Sequence, residues 1–331
     1  MQRASSRRLL AALAAAGAMI AIIGLVLAVI FVQRWAFTIS ARAPSIGTVV
    51  LVPEQSKAQH ALDVGTMDAK ATAAAEYLAS QPTAYWLTPE QDPIGTAGRT
   101  VSDLTAQARK QDVSLAVVVY GLPERDCGNH SAGGLSDADY RGWVDEIAVA
   151  LDAAPDLQKI VILEPDSLAL APECGNLDQR VTQLQAAVDA LESPGTWIYL
   201  DGGHSGWLPA VEMAELIAAV DAGDKVRGFA TNVSNYRSTY DEFDYARALS
   251  AALGGMHAII DTSRNGAASA GAEWCNPPGQ RVGDAGGTFG DDVVDTNLWI
   301  KPPGESDGPC NGGPAAGVWW PEGAADLMRT G

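Results

Sequence analysis

The chain has 331 residues, of which 40 are acidic and 22 basic, for a formal net charge of −18. That length holds one large barrel-type domain or two smaller ones. So acidic a surface argues against nucleic acid as a partner and is compatible with an uncharged polymer, although acidity also serves solubility alone.

Residues 9–32 carry no charge, follow Arg3, Arg7 and Arg8, and precede Arg34. The run is long enough to span a bilayer and longer than the apolar core of a signal peptide, so it predicts a transmembrane helix acting as an uncleaved anchor. The arginine bias keeps the amino terminus cytoplasmic and places the rest of the chain outside. Ala41, Arg42 and Ala43 resemble a small-x-small cleavage motif, whose use would give a secreted form instead. The expected organisation is a stub, anchor and short linker over 1–43, then one domain over 44–331, which holds 17 basic and 40 acidic groups.

Beyond the linker, apolar β-rich runs alternate with amphipathic stretches, the pattern of an α/β domain with a mostly parallel sheet. Strands are expected at Val49–Val52, Ser114–Tyr120, Lys159–Leu163, Trp197–Leu200, Arg227–Ala230, His257–Asp261 and Asn297–Lys301. Apolar spacing of three or four predicts helices over Asp68–Leu78, Val101–Lys110, Asp137–Leu151, Gln179–Leu191, Pro209–Val220, Tyr240–Leu253 and Glu322–Met328. About seven strand and helix pairs suggest a barrel, and an open doubly wound sheet reads almost identically. Residues 264–294, rich in Gly, Ala, Asn and Pro, form a long loop of the kind that is functional or disordered.

Cys127, Cys174, Cys275 and Cys310 fit no CxxC pattern and have few histidines near them. In an exported chain this favours two disulfides over a metal site, and three pairings are open. Pairing neighbours, Cys127 with Cys174 and Cys275 with Cys310, would staple a long loop in each case. His60, His130, His204 and His257 are scattered singly and lack the cluster that a catalytic zinc requires, so no metal or cofactor is expected.

Asp126, Asp166, Asp201 and Asp307 each lie where an apolar run ends, in VVVYGLPERDC, IVILEPDSL, WIYLDGGHSGWL and LWIKPPGESDG. If those runs are parallel strands of one barrel, the acids converge on its carboxyl face. Convergent carboxyls suit glycosidic bond cleavage, in which one acid protonates the leaving oxygen and others manage an attacking water.

These segments, with GFATNVSNY and EWCNPPG, resemble in order the successive signatures of glycoside hydrolase family 6, the β-1,4-glucanases and cellobiohydrolases. The likeness runs from about Trp86 to Trp320. It implies a distorted, incomplete parallel β/α barrel of about seven strands and hydrolysis of β-1,4-glucan with inversion. By the resemblance Asp166 is the proton donor, Asp126 helps hold its proton and position water, and Asp307 is the proposed base. Lys301, Glu305, Asp201 and His204 match residues that contact sugar or support the acid. Trp86, Trp207 and Trp274 match stacking positions, while Tyr120, Arg125, Ser131, Asn232 and Asn235 complete the pocket. Nine tryptophans against five phenylalanines fit glucan binding, because indoles stack on the C–H faces of sugar rings.

Ser306 stands where some relatives carry Cys, with Cys310 four residues later, which implies a second disulfide displaced along its loop. The short segments between blocks suggest an open cleft and attack on internal bonds. The competing expectations are a glucan-binding protein without turnover and an exo-acting cellobiohydrolase.

Overall fold

The computed structural model describes residues 16–32, 42–267, 271 and 273–329. Seven strands pair in sequence order, each parallel to the next: β1 (Tyr85–Leu87), β2 (Leu115–Val119), β3 (Lys159–Leu163), β4 (Thr196–Asp201), β5 (Gly228–Thr231), β6 (His257–Asp261) and β7 (Val294–Leu298). The sheet curls into a half-barrel whose ends approach where the Ala84 N–H donates to the Trp299 carbonyl (2.9 Å).

Helix α1 covers 16–32. Helices α2 (Lys57–Val64) and α3 (Ala69–Ala79) precede β1, and α4 (Ala97–Gln111) and α5 (Asp137–Asp152) make the first two crossovers. The third crossover holds α6 (Ser167–Cys174) and α7 (Leu177–Leu191), followed by α8 (Ala210–Ala219) and α9 (Thr239–Ala252). Helix α10 (Pro321–Leu327) comes after β7. Ser56, Asp68, Ser136 and Ser238 cap their helices by accepting a backbone N–H three positions on.

Strands β2 and β3 are buried at every position, as parallel strands covered on both faces must be. Alternate side chains serve opposite faces. Val117, Val119, Val161 and Leu163 pack outward with Leu104, Trp143, Ile147 and Leu184. Ala116, Val118, Ile160 and Ile162 pack inward with Tyr199, Ile259 and Ile300. Burial of each large aliphatic stabilises the fold by about 1.5–3 kcal/mol. At Gly228 a Cβ would lie 1.7 Å from the His257 carbonyl oxygen, so the β5–β6 pairing requires glycine there.

Three expectations about elements are corrected. Val49–Val52 makes an isolated parallel bridge, Val50 to Ser114, while the edge strand is Tyr85–Leu87. The last strand is VDTNL rather than NLWIK, because Asp295 and Asn297 are buried with partners of their own: Arg227 for Asp295, and the Ala285 carbonyl for Asn297. Helices α2 and α6 add to those expected.

Of the run 9–32 expected to span a membrane, residues 9–15 lie outside the described residues, and 16–32 are helical with exposed side chains. Among the described residues no helix is long and apolar enough to cross a membrane, so the anchor finds no support.

Candidate active site

At the carboxyl ends of the strands lies a cleft of about 800 Å³. Its chemistry is built from the loops that follow β2 and β3. Non-glycine residues adopt left-handed backbone conformations in both, at Glu124, Asp126, Cys127, Glu164 and Asp166 (φ 51°, 53°, 51°, 49° and 67°). Such strain persists where surrounding contacts over-determine it.

Those contacts are specific. The buried Glu164 carboxyl accepts from the N–H groups of Gly121 (3.0 Å) and Leu122 (3.2 Å), tying the end of β3 to the end of β2. Arg180, buried on α7, donates to the carbonyls of Pro123 (2.6 Å) and Glu124 (2.9 Å), just before Asp126. Arg125 donates to the Ser131 and Tyr120 carbonyls and pairs with Glu90 at 2.9 Å. Its guanidinium lies 4.5 Å over the Tyr120 ring. The disulfide Cys127–Cys174 fastens this loop to α6, and Cys275–Cys310 joins the β6–β7 connection to the loop after β7.

Asp126, Asp166 and Asp307 all line the cleft. The Tyr120 hydroxyl donates to Asp126 Oδ2 at 2.5 Å. Burial raises the Asp126 carboxyl above its ordinary range, against the Tyr120 hydrogen bond and the Arg125 charge. Burial raises Asp166 further, well above the usual carboxylate range, and the charges of Asp126, Asp201 and Asp307 push the same way against Lys301. The balance of these influences favours the protonated form of Asp166.

Asp201 is buried beneath it rather than on the cleft wall. Its Oδ2 accepts from the N–H groups of Asp166 (3.0 Å) and Gly203 (3.1 Å), and burial brings its carboxyl up to about 7.

Asp307 differs in kind. Oδ1 pairs with the buried Arg264 guanidinium at 2.9 Å. Oδ2 accepts from the Tyr236 hydroxyl (2.7 Å) and the Asn276 N–H (3.0 Å). Both oxygens are already engaged.

Trp86, Tyr120, Lys301 and Glu305 cluster together on the cleft wall. The Trp86 and Tyr120 rings meet edge-on at 5.2 Å, and the Lys301 ammonium lies 4.8 Å from the Trp86 centroid. Burial lowers the proton affinity of Lys301, partly offset by Glu305 and Asp307.

His204 and Trp207 lie elsewhere on the wall, with ring centroids 5.7 Å apart. Burial, then Arg237, brings His204 down to about 4, so its ring is neutral near pH 7. Its Nδ1 accepts from the Gly206 N–H (3.2 Å), which leaves the proton on Nε2. Trp274 is exposed and tilts against His130 at 5.6 Å. Arg125, Ser131 and Asn235 also line the cleft.

Asn232 is a correction. It is fully buried, its amide donates to the Asp261 carbonyl (2.8 Å), and its oxygen accepts from the Arg237 N–H, so it shapes the loop and does not face the cleft.

Sequence reasoning missed Arg264, Arg180 and Asp261. Asp261 ends HAIID as the other aspartates end their runs, and that signal was available. Its carboxylate accepts from the N–H groups of Lys301 (3.0 Å) and Ser234 (3.1 Å), joining two wall loops. No local pattern marks Arg264, a charge inside a Gly- and Ala-rich loop.

A parallel half-barrel with a raised carboxyl among further acids and indoles at its carboxyl face defines an α/β-barrel protein with an acid-lined cleft. The chain belongs to the glycosyl hydrolases family 6, whose sequence model matches residues 47–331. It is 43% identical over 255 residues to endoglucanase A of Cellulomonas fimi, covering 77% of this chain and 55% of that protein. It is 37% identical to endoglucanase A of Thermobispora bispora, covering 83% and 61%. The chain thus spans between half and two thirds of the length of these curated relatives. Among solved structures, the endoglucanase Cel6 of Mycobacterium tuberculosis, in complex with methyl-cellobiosyl-4-deoxy-4-thio-β-D-cellobioside, matches with a TM-score of 0.77 at 37% identity, over 86% of this chain and 98% of that one.

Proposed function

We propose that residues 44–331 form a catalytic domain that hydrolyses internal β-1,4-glucosidic bonds of cellulose or a related β-glucan with inversion. The observation that carries this reading is the place of Asp166: its carboxyl is pushed toward the protonated form by burial and by Asp126, Asp201 and Asp307, and it lines a cleft together with Trp86, Trp207 and Trp274. Asp166 gives its proton to the departing glycosidic oxygen while a water attacks the opposite face of the ring. Asp307, with both oxygens engaged by donors, is held in one position on the cleft wall. Asp126, pushed up by burial, serves as proton acceptor, reached directly or through a chain of waters. Trp86, Tyr120, Lys301 and Glu305 hold sugar on one side, while His204 and Trp207 hold it on the other. The similarity to two endoglucanases supports internal cutting. Two disulfides support export to an oxidising compartment.

The test is hydrolysis of carboxymethylcellulose, followed by viscosity and reducing ends, for the native chain and Asp166→Asn. Viscosity falling ahead of reducing ends, a first-formed α-anomer by NMR, and a loss of about 10²–10⁴-fold in the variant are expected. A β-configured first product or an unimpaired variant refutes the assignment.

A further inference from the structure

Lys57 is the first residue of α2, a helix that precedes the first strand of the barrel and lies before every strand-end motif singled out in the sequence. The helix is pinned by Ala58, which packs in a buried cluster with Leu78, Trp299 and Ala324. That anchor delivers the Lys57 ammonium to the cleft wall. There it donates to the Gly317 carbonyl at 2.7 Å and pairs with Glu305 Oε2 at 3.2 Å. The Lys301 ammonium reaches the same Glu305 oxygen at 3.9 Å. One carboxylate thus lies between two ammonium groups, beside the Trp86 indole, whose orientation is fixed by its N–H bond to the Ile300 carbonyl (2.8 Å).

An ammonium has three donors. Gly317 takes one and Glu305 a second, while the Lys57 side chain keeps 32% exposure on the cleft wall. A flat apolar platform with donors and an acceptor along its edge matches a pyranose, which shows C–H groups on its faces and hydroxyls around its rim. We infer that Lys57 is a further sugar-binding residue in the part of the cleft wall that holds Trp86 and Glu305, donating to a hydroxyl of a β-1,4-linked glucose unit while holding Glu305 as an acceptor for another. This rests on the proposed glucan reading and adds to it a residue from outside the barrel.

The test measures binding apart from turnover. Cellohexaose is titrated calorimetrically into Asp166→Asn protein carrying native Lys57, Lys57→Arg or Lys57→Met, with the fold of each checked by circular dichroism. Loss of one charge-assisted hydrogen bond is expected to weaken binding about tenfold in Lys57→Met. Lys57→Arg, which keeps the charge, retains most of the affinity. With Asp166 intact, the Lys57→Met loss falls mainly on KM rather than kcat, and it persists in a Glu305→Gln background, where a staple acting only through the Glu305 charge has nothing left to hold. If Lys57→Met fails to fold, Lys57→Gln, which keeps a donor for Gly317, is measured in its place. Affinity within twofold of native in a folded variant overturns the inference and leaves the glucan reading standing. Absence of cellohexaose binding by the Lys57-native protein removes both.

Discussion

At the scale of single residues, the arrangement separates acids by environment. Asp126 and Asp166 are pushed up by burial, whereas Asp307 is surrounded by donors. The donor must be protonated, so its pKa sets the basic limb of the pH–rate profile. The Asp126 charge is the largest contribution after burial that raises Asp166. Asp126→Asn removes that charge, so the Asp166 pKa falls and the basic limb of the residual activity moves to lower pH. Activity itself also falls, because the variant loses the proton acceptor. A kcat/KM profile between pH 4 and 9 reads both effects, and an unmoved basic limb would show that the two carboxyls are not coupled.

Among elements, the Asp126 loop depends on attachments made far from it in sequence. Arg180 grips it from α7, and Cys127 is bound to Cys174 at the end of α6, 47 residues away. Removing a native disulfide of this span costs about 2–5 kcal/mol. The double variant Cys127→Ser with Cys174→Ser is therefore expected to melt about 5 °C or more below the native chain. It should also lose activity at temperatures where it is still folded, since Asp126 adjoins the released cysteine. Activity tracking the folded fraction alone would mean that Arg180 and Glu164 suffice to position Asp126. The same elements show what the sequence made legible. Long apolar runs such as KIVIL and HAIID marked β3 and β6 to the residue, because both faces of those strands are covered. Strand β1 has three residues, too few for a periodic signal. Strand β7 was misplaced because its buried polar residues are satisfied by Arg227 and by loop carbonyls that only the folded chain brings near. Helix α6 was hidden by Pro172 inside it.

Across the whole molecule, the cleft was legible wherever strand-end motifs carry it. It was not where distant segments complete it: Lys57, Arg264 and Arg180 reach the wall or its supports from α2, the β6–β7 loop and α7. This convergence buries many acids together, with a consequence for stability. Glu164, Asp201 and Glu242 are each raised to about 7, chiefly by burial. In the unfolded chain such groups titrate near 4. Between about pH 4 and pH 7 the folded state therefore holds more protons than the unfolded one, so stability falls as pH rises through that window and levels off above it. The formal charge of −18 near pH 7 acts in the same direction through self-repulsion. Asp156 and Asp291, lowered by hydrogen bonds with Arg109 and with backbone N–H groups respectively, oppose the trend only below about pH 4, where their contribution is lost. Thermal melting is thus expected to be highest near pH 4–5 and about 5 °C or more lower at pH 8. Glu242→Gln, which keeps the shape and removes one titrating group, should reduce the slope between pH 4 and 7 without abolishing it. A melting temperature that rises from pH 5 to pH 8 would show that these carboxyls ionise in the folded chain as readily as in water.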